Sequence, residues 1–246
     1  HGFKGFKDWG HFNLLADYWA KKDFVVVKPN LSHNGTTPEA PQDFGDLEAF
    51  GHNTFSIELD DLGDVIDYLH SADCTVPERE MDLDRLFLVG HSRGGGLVIL
   101  KTFEDERVKG EATLAGVSNF GNWVNQLFQP WDETGPNYIS NARTGQQMPI
   151  YYDLVKDVEQ HANRLDIYQA AAGLQVPLAL FHGTQDPAVP VQESERLHSL
   201  QPAAQLFVKE GGDHVFGGAH PWSSPQLPPM VKELADEIAH FFHAIG

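Results

Sequence analysis

Leu86-Phe87-Leu88-Val89-Gly90-His91-Ser92-Arg93-Gly94-Gly95-Gly96 decides how this chain is read. The apolar run at 86–89 has the length and composition of a buried strand, and residues 97–100 form an unbroken apolar segment suited to a helix packed on a sheet. Between them stands G-x-S-x-G. A strand that passes straight into a helix through this pentapeptide puts Ser92 on a tight turn with strained backbone angles. Side chains two positions before and after Ser92 would collide there, hence glycine at 90 and 94. Gly95 and Gly96 extend the space for close helix–sheet packing. The turn also sets Ser92 at a helix N-terminus, where free N–H groups and the macrodipole favour developing negative charge.

Outward from this turn, short apolar runs alternate with helix-period stretches, the pattern of a parallel sheet with crossover helices. Phe12, Leu15, Ala16 and Trp19 predict an amphipathic helix over about 9–22, and Phe24-Val25-Val26-Val27 a buried strand stopped by Pro29. Residues 30–53 are turn-rich. Leu62, Val65, Ile66 and Leu69 predict a helix over about 55–71. Further strands are expected over 108–114, 177–181 and 206–208, with a helix over about 192–200. Val231, Leu234, Ile238, Phe241 and Ile245 share one face of a closing helix that starts after Pro228-Pro229. The rhythm breaks at about 117–173, where Trp123, Phe128, Trp131, Tyr138, Tyr151 and Tyr152 lie among Asn, Gln, Gly and Pro with no strand-like run. That stretch is too long for a plain crossover. The division expected is therefore a core of residues 1–116 and 174–246, interrupted by a mostly helical cap at 117–173.

With 41% hydrophobic residues in 246, the chain can build a sizeable core, and wholesale disorder is excluded. Its net charge of −18 repels phosphate backbones and anionic headgroups, which argues against nucleic-acid or membrane-surface partners. A single cysteine, Cys74, forms no internal disulfide and is compatible with a reducing compartment, so a cytoplasmic location is expected. No apolar run approaches the ~18–20 residues of a membrane helix, and no signal peptide is visible.

A serine hydroxyl needs a base to accept its proton, and the base needs an orienting carboxylate. After a G-x-S-x-G elbow the chain order is Ser, then acid, then His. Asp186 follows the strand near 178–182 and His214 follows the strand near 206–208, so both stand at the C-terminal ends of strands. Competing assignments exist. Asp186-Pro187 also suits a simple turn, Asp213 is a rival acid, and His220 a rival base. His182 reads equally as a satisfied core histidine. Neither H-E-x-x-H nor C-x-x-C occurs, so no metal site is expected. An oxyanion hole needs preorganised N–H donors. The amide of Arg93, next after the nucleophile, supplies one. The opening His1-Gly2-Phe3-Lys4-Gly5, just ahead of the first helix, supplies the other from Phe3.

HGFKG, GHSRGG, HGTQDPAVP and GGDHVFGG, in that order and spacing, resemble the α/β-hydrolase superfamily. The similarity is greatest to its dienelactone-hydrolase-like and cinnamoyl (feruloyl) esterase-like serine hydrolases. It extends over nearly the whole chain, although 117–173 matches only in being an inserted cap. The resemblance implies an α/β-hydrolase fold, with Ser92 as nucleophile, Asp186 as acid, His214 as base and the Phe3 and Arg93 amides as oxyanion hole. Dienelactone hydrolases carry a nucleophilic cysteine where this chain has Ser92, which argues against dienelactone as substrate. The family also has strands ahead of its H-G loop, one of them inside the sheet. Two or three further strands are accordingly expected upstream of His1.

The chemistry these residues predict is acyl transfer to water through an acyl-enzyme on Ser92, with no cofactor. The expected substrate is a small-molecule carboxylic ester of modest size with an aromatic acid portion. Trp123, Trp131 and Tyr151 would line its pocket, although such aromatics equally form a cap's own core. Arg93 or Arg143 could meet a carboxylate, or could be solvated surface groups. A prolyl-oligopeptidase-like peptidase and a hydrolase-fold binding protein with a silent site are the alternatives.

Overall fold

The computed structural model describes residues 1–245. In chain order the elements are helices α1 (Phe12–Ala20), α2 (Leu47–Gly51) and α3 (Phe55–Leu69), strand β1 (Leu86–His91), helix α4 (Arg93–Glu104) and strand β2 (Val108–Leu114). Helix α5 (Phe120–Leu127), strands β3 (Asn137–Ser140) and β4 (Gln147–Ile150), and helices α6 (Asp153–Gln160) and α7 (Ile167–Gly173) come next. Strand β5 (Leu178–Gly183), helix α8 (Gln192–Leu200), strand β6 (Gln205–Lys209) and helix α9 (Pro229–His243) complete the chain.

Four strands pair in the order β1-β2-β5-β6, all parallel, as the alternating pattern predicts. The two-residue period of a strand assigns the faces. Ala179 and Phe181 of β5 pack with Leu15 of α1 and with Val231, Leu234 and Phe241 of α9. Leu178 and Leu180 turn the other way, into the cluster holding Phe55 and Leu59 of α3, Leu97 and Ile99 of α4 and Leu197 of α8. Parallel strands buried on both faces require such a two-sided cover. The ends of α3 and α9 follow from their sequences. Thr54 Oγ1 accepts the Ile57 N–H at 3.3 Å and caps α3, and Pro229 opens α9, where a missing N–H costs nothing.

Two expectations are corrected. Residues 24–27 form no strand, and Val25 and Val27 are 48% and 44% exposed. A β-branched run becomes a strand only when another strand supplies hydrogen bonds, and here an apolar cavity of about 400 Å³ separates it from residues 86–89 of β1. The walls of that cavity include Leu62 and Ile66 of α3 on one side and Leu234 and Phe242 of α9 on the other. It lies in the sheet layer between the two helical layers, and Ser92, Asp186 and His214 are not among its walls. Strands upstream of His1 lie outside the described residues.

The second correction concerns 117–173, whose regular structure is mostly helical as expected but which also carries strands where no strand-like run is read from the sequence. It holds three helices and the antiparallel β3–β4 hairpin, with Tyr138 opposite Pro149. Val124, Met148, Ile150, Leu154 and Ile167 are buried and join the same apolar cluster as Leu97 and Leu180 of the sheet–helix core. Among the described residues no helix is long and apolar enough to cross a membrane.

Candidate active site

Strand β1 ends at His91 and α4 begins at Arg93, so the whole reversal is made at Ser92. Its backbone stands at φ 56°, ψ −119°, a region L-residues adopt only when the surroundings enforce it. The enforcement is visible in hydrogen bonds: Ser92 N–H donates to Leu114 O at 2.9 Å, and Ser92 O accepts from Gly95 and Val117 N–H at 2.9 and 3.0 Å. A Cβ on Gly90 would lie 2.1 Å from Gly94 O, and one on Gly94 would lie 2.8 Å from His1 O. Both glycines flanking Ser92 are thus required by backbone approach. The opening loop sits directly over the turn, since a Cβ on Gly2 would come within 3.0 Å of Ser92 Cβ. This brings His1 and Gly2 to the candidate nucleophile, one residue from the expected oxyanion donor Phe3.

Asp186 and His214 meet. His214 Nδ1–H donates to Asp186 Oδ2 at 2.7 Å, and the Asp186 side chain is fully buried. Asp186 Oδ1 accepts the Ala188 and Val189 amides at 2.8 and 2.9 Å, so the loop following β5 fixes its orientation. Burial alone would favour the protonated acid. Hydrogen bonds with His182, His214 and the Val189 amide outweigh it and hold the carboxyl well below the usual carboxylate range. A bond from Nδ1–H leaves His214 Nε2 as the free acceptor, the tautomer a general base needs. No hydrogen bond joins His214 to Ser92 Oγ in this structure, although the imidazole lies beside the ring of His91, the residue preceding Ser92, with centroids 4.8 Å apart.

The rival assignments are placed elsewhere. Asp213 Oδ1 accepts Val215 and Gly217 N–H at 3.1 and 2.8 Å and so braces its own loop. His220 Nδ1 accepts the Gly10 amide at 2.8 Å and packs edge-on against Phe6, 5.0 Å between centroids. His182 is a satisfied core histidine: Nε2–H donates to Val189 O at 2.8 Å and Nδ1 is 2.7 Å from Ser194 Oγ, the separation to Asp186 Oδ2 being a longer 3.5 Å.

The aromatic residues divide. Trp123 meets the opening loop, edge to face with Phe3 at 5.1 Å, and Phe50 also stacks on Phe3 at 5.7 Å. Trp131 packs instead with Phe128 and Tyr152, and Tyr151 stacks on His52 at 4.0 Å with its hydroxyl on Glu48. Arg143 reaches Gln42 O at 3.3 Å and is partly exposed. Arg93 is neither a solvated group nor free to meet a carboxylate. Its side chain is 4% exposed and its Nη2 pairs with the fully buried Glu58 of α3. The guanidinium lies 5.0 Å from the Phe3 ring centre, so the two residues expected to supply oxyanion donors also touch through their side chains. Asn53 Nδ2 donates to the same Glu58 oxygen at 2.8 Å. Burial pushes the Glu58 carboxyl up, and Arg93 and Asn53 pull it back.

Glu58 and His91 are the site neighbours that motif reading does not find. Glu58 carries a legible signal, because it falls between Phe55 and Leu59 on the stripe that α3 buries. His91 carries none by itself. Among the described residues no group of three or more His, Cys, Asp or Glu is arranged to hold a metal ion.

The Alpha/beta hydrolase family model matches residues 1–227. A Salmonella typhimurium protein, named only as the uncharacterized protein YfhR, is 28% identical over 191 residues, 74% of this chain and 56% of its own length. The chain therefore spans about half the length of that curated relative. Among solved structures, Est1E from Butyrivibrio proteoclasticus with ferulic acid bound superposes with a TM-score of 0.69 at 16% identity, covering 100% of this chain and 86% of its own. A monoacylglycerol lipase from Paleococcus ferrophilus superposes at 0.65 and 15% identity, covering 98% and 92%. The elbow, the parallel sheet and the family match agree: the chain belongs to the alpha/beta hydrolase family.

Proposed function

We propose that the chain is a serine hydrolase that cleaves small carboxylic esters through an acyl-enzyme on Ser92. The observation that carries this reading is the 2.7 Å bond from His214 Nδ1–H to a buried Asp186, with the imidazole next to His91, the residue that precedes a serine held on a strained elbow. In the proposed reaction His214 Nε2 takes the Ser92 proton as Oγ attacks the ester carbonyl. The Phe3 and Arg93 amides hold the tetrahedral oxyanion. His214 then protonates the leaving alcohol, and water repeats the sequence on the acyl-enzyme. The step from the present geometry is a closure of His214 toward Ser92, of the kind that active-site hydrogen bonds undergo when substrate binds.

For the substrate, the likeness to a ferulic-acid-binding Est1E and the Phe3–Phe50–Trp123 group beside the elbow support an ester with an aromatic acid portion. Trp123 is the expected pocket residue with a contact to that loop; Trp131 and Tyr151 make their aromatic contacts with Phe128, Tyr152 and His52 instead. The test is hydrolysis of p-nitrophenyl acetate, methyl ferulate and an aminoacyl-proline anilide by the wild type and Ser92→Ala. Turnover of both esters by the wild type, none by Ser92→Ala and none of the amide is expected. Amide turnover through Ser92 would assign a peptidase, and ester turnover surviving in Ser92→Ala would remove the nucleophile.

A further inference from the structure

His91 lies between two elements the proposed reaction must keep in register. It ends β1 next to Ser92, and its side chain crosses to the loop after β6, where Nε2–H donates to the backbone carbonyl of His214 at 2.7 Å. A carbonyl only accepts, so the proton is on Nε2. Burial holds the ring neutral, with its pKa pushed down to about 3, and the neighbouring His214 acts in the same direction. The ring therefore keeps one protonation state throughout the range in which hydrolases work.

The rest of the histidine loop is braced mainly on itself. Asp213 caps it through Val215 and Gly217 N–H, Phe216 N–H donates to Asp213 O at 3.2 Å, and Gly218 N–H to Val215 O at 2.9 Å. Its other ties run to the β5–β6 side and to the opening segment: Gln185 N–H donates to Gly212 O at 2.9 Å, Asp186 accepts from the imidazole, and His220 Nδ1 accepts the Gly10 amide at 2.8 Å. Among the described hydrogen bonds, the one from His91 is what ties this loop to the strand that carries Ser92. Asp186 fixes which way the His214 ring faces. It does not fix how far the peptide of His214 stands from the elbow.

We infer that His91 is a positioning residue, a strut whose Nε2–H···O=C bond to His214 sets the spacing between base and nucleophile. The inference rests on the proposed roles of Ser92 and His214. It requires that removing the donor slow acylation while leaving substrate binding alone, because the bond touches the backbone of the base and no substrate. A misplacement of about 1 Å in a reacting group costs up to about 10²-fold in rate.

The test compares wild type with His91→Phe, His91→Asn and His91→Gln. Phenylalanine keeps a ring without a donor. The glutamine amide reaches the place of Nε2, while that of asparagine stops short of it. Readouts are kcat and KM on p-nitrophenyl acetate and the second-order rate of labelling by a fluorophosphonate, with melting temperature recorded for each. His91→Phe and His91→Asn are expected to lose about 10- to 100-fold in kcat and in labelling rate, with KM within about twofold. His91→Gln recovers most of both. Should His91→Phe fail to fold, the Gln–Asn pair decides. Equal rates in that pair, or a folded His91→Phe with wild-type kcat, overturn the strut. Equal labelling of Ser92→Ala and wild type would instead overturn the hydrolase reading beneath it.

Discussion

Replacing Glu111 with glutamine separates a buried titration from everything else in the sheet. Glu111 stands in β2 with no exposed surface. Oε2 accepts the Thr102 hydroxyl at 2.9 Å and Oε1 has no partner. Burial pushes its pKa up from 4.5 to about 8, against the opposing pull of Thr102. The folded chain therefore keeps this proton over a range in which the unfolded chain has lost it. With fewer protons bound in the unfolded state, stability falls as pH rises, by up to about 1.4 kcal/mol per unit. The contribution is complete below pH 4.5, declines up to about 8 and is flat above that. Glutamine still accepts from Thr102 and cannot ionise. Urea unfolding of both proteins at five values from pH 5 to 9 cancels every group they share. The stability of Glu111→Gln relative to wild type should climb by roughly 3–4 kcal/mol between pH 5 and 8, then level. Parallel profiles, within about 0.5 kcal/mol of a constant offset, would refute the reasoning, since that offset reports only the unpaired amide.

Other outcomes follow from the same geometry. His214→Ala should lose about 10³- to 10⁴-fold or more in kcat, whereas His220→Ala, which removes the acceptor of the Gly10 amide, should lower the melting temperature and leave kcat within severalfold; the reverse pattern on p-nitrophenyl acetate would transfer the base to residue 220. Glu58→Ala strands Arg93 as a buried charge and should destabilise by about 3–5 kcal/mol in urea. Joint replacement of Glu58 and Arg93 by methionine should cost clearly less than Glu58→Ala, and an equal cost would mean that the pair is not what holds that charge.

The elbow is readable because its glycines stand in a contiguous pattern between an apolar run and an apolar helix. Gly90 answers to the backbone of Gly94 and Gly95, whereas Gly94 answers to the backbone of His1, which the pattern does not report. Asp186 and His214 were readable for a related reason, standing just past runs whose strand character is strong, and the structure joins them. What failed was non-local. Residues 24–27 have every local mark of a strand, but a ladder needs a partner that local pattern does not report. The β3–β4 hairpin was missed because Pro149, Gln147 and Asn137 are poor strand formers, and a turn through Gly145 at φ 73° shows itself only in coordinates. From sequence Arg93 suits a carboxylate ligand or a solvated surface group, since arginines are mostly exposed. Its counter-charge sits on α3, 35 positions away, and only the charge within the apolar stripe of that helix hinted at it. The aromatics of 117–173 illustrate the limit of composition: their number suggested a pocket, and only contact with Phe3 singles out Trp123.

The most direct test of the central claim is peptide mapping by mass spectrometry after reaction with a fluorophosphonate, with labelling rates for wild type, Ser92→Ala, Asp186→Ala and His214→Ala. A single adduct on Ser92, absent from Ser92→Ala and formed at least about 10²-fold more slowly in the other two variants, is the predicted result. An adduct on any other residue, or one on Ser92 at wild-type rate without His214, would contradict a serine activated by the Asp186–His214 pair.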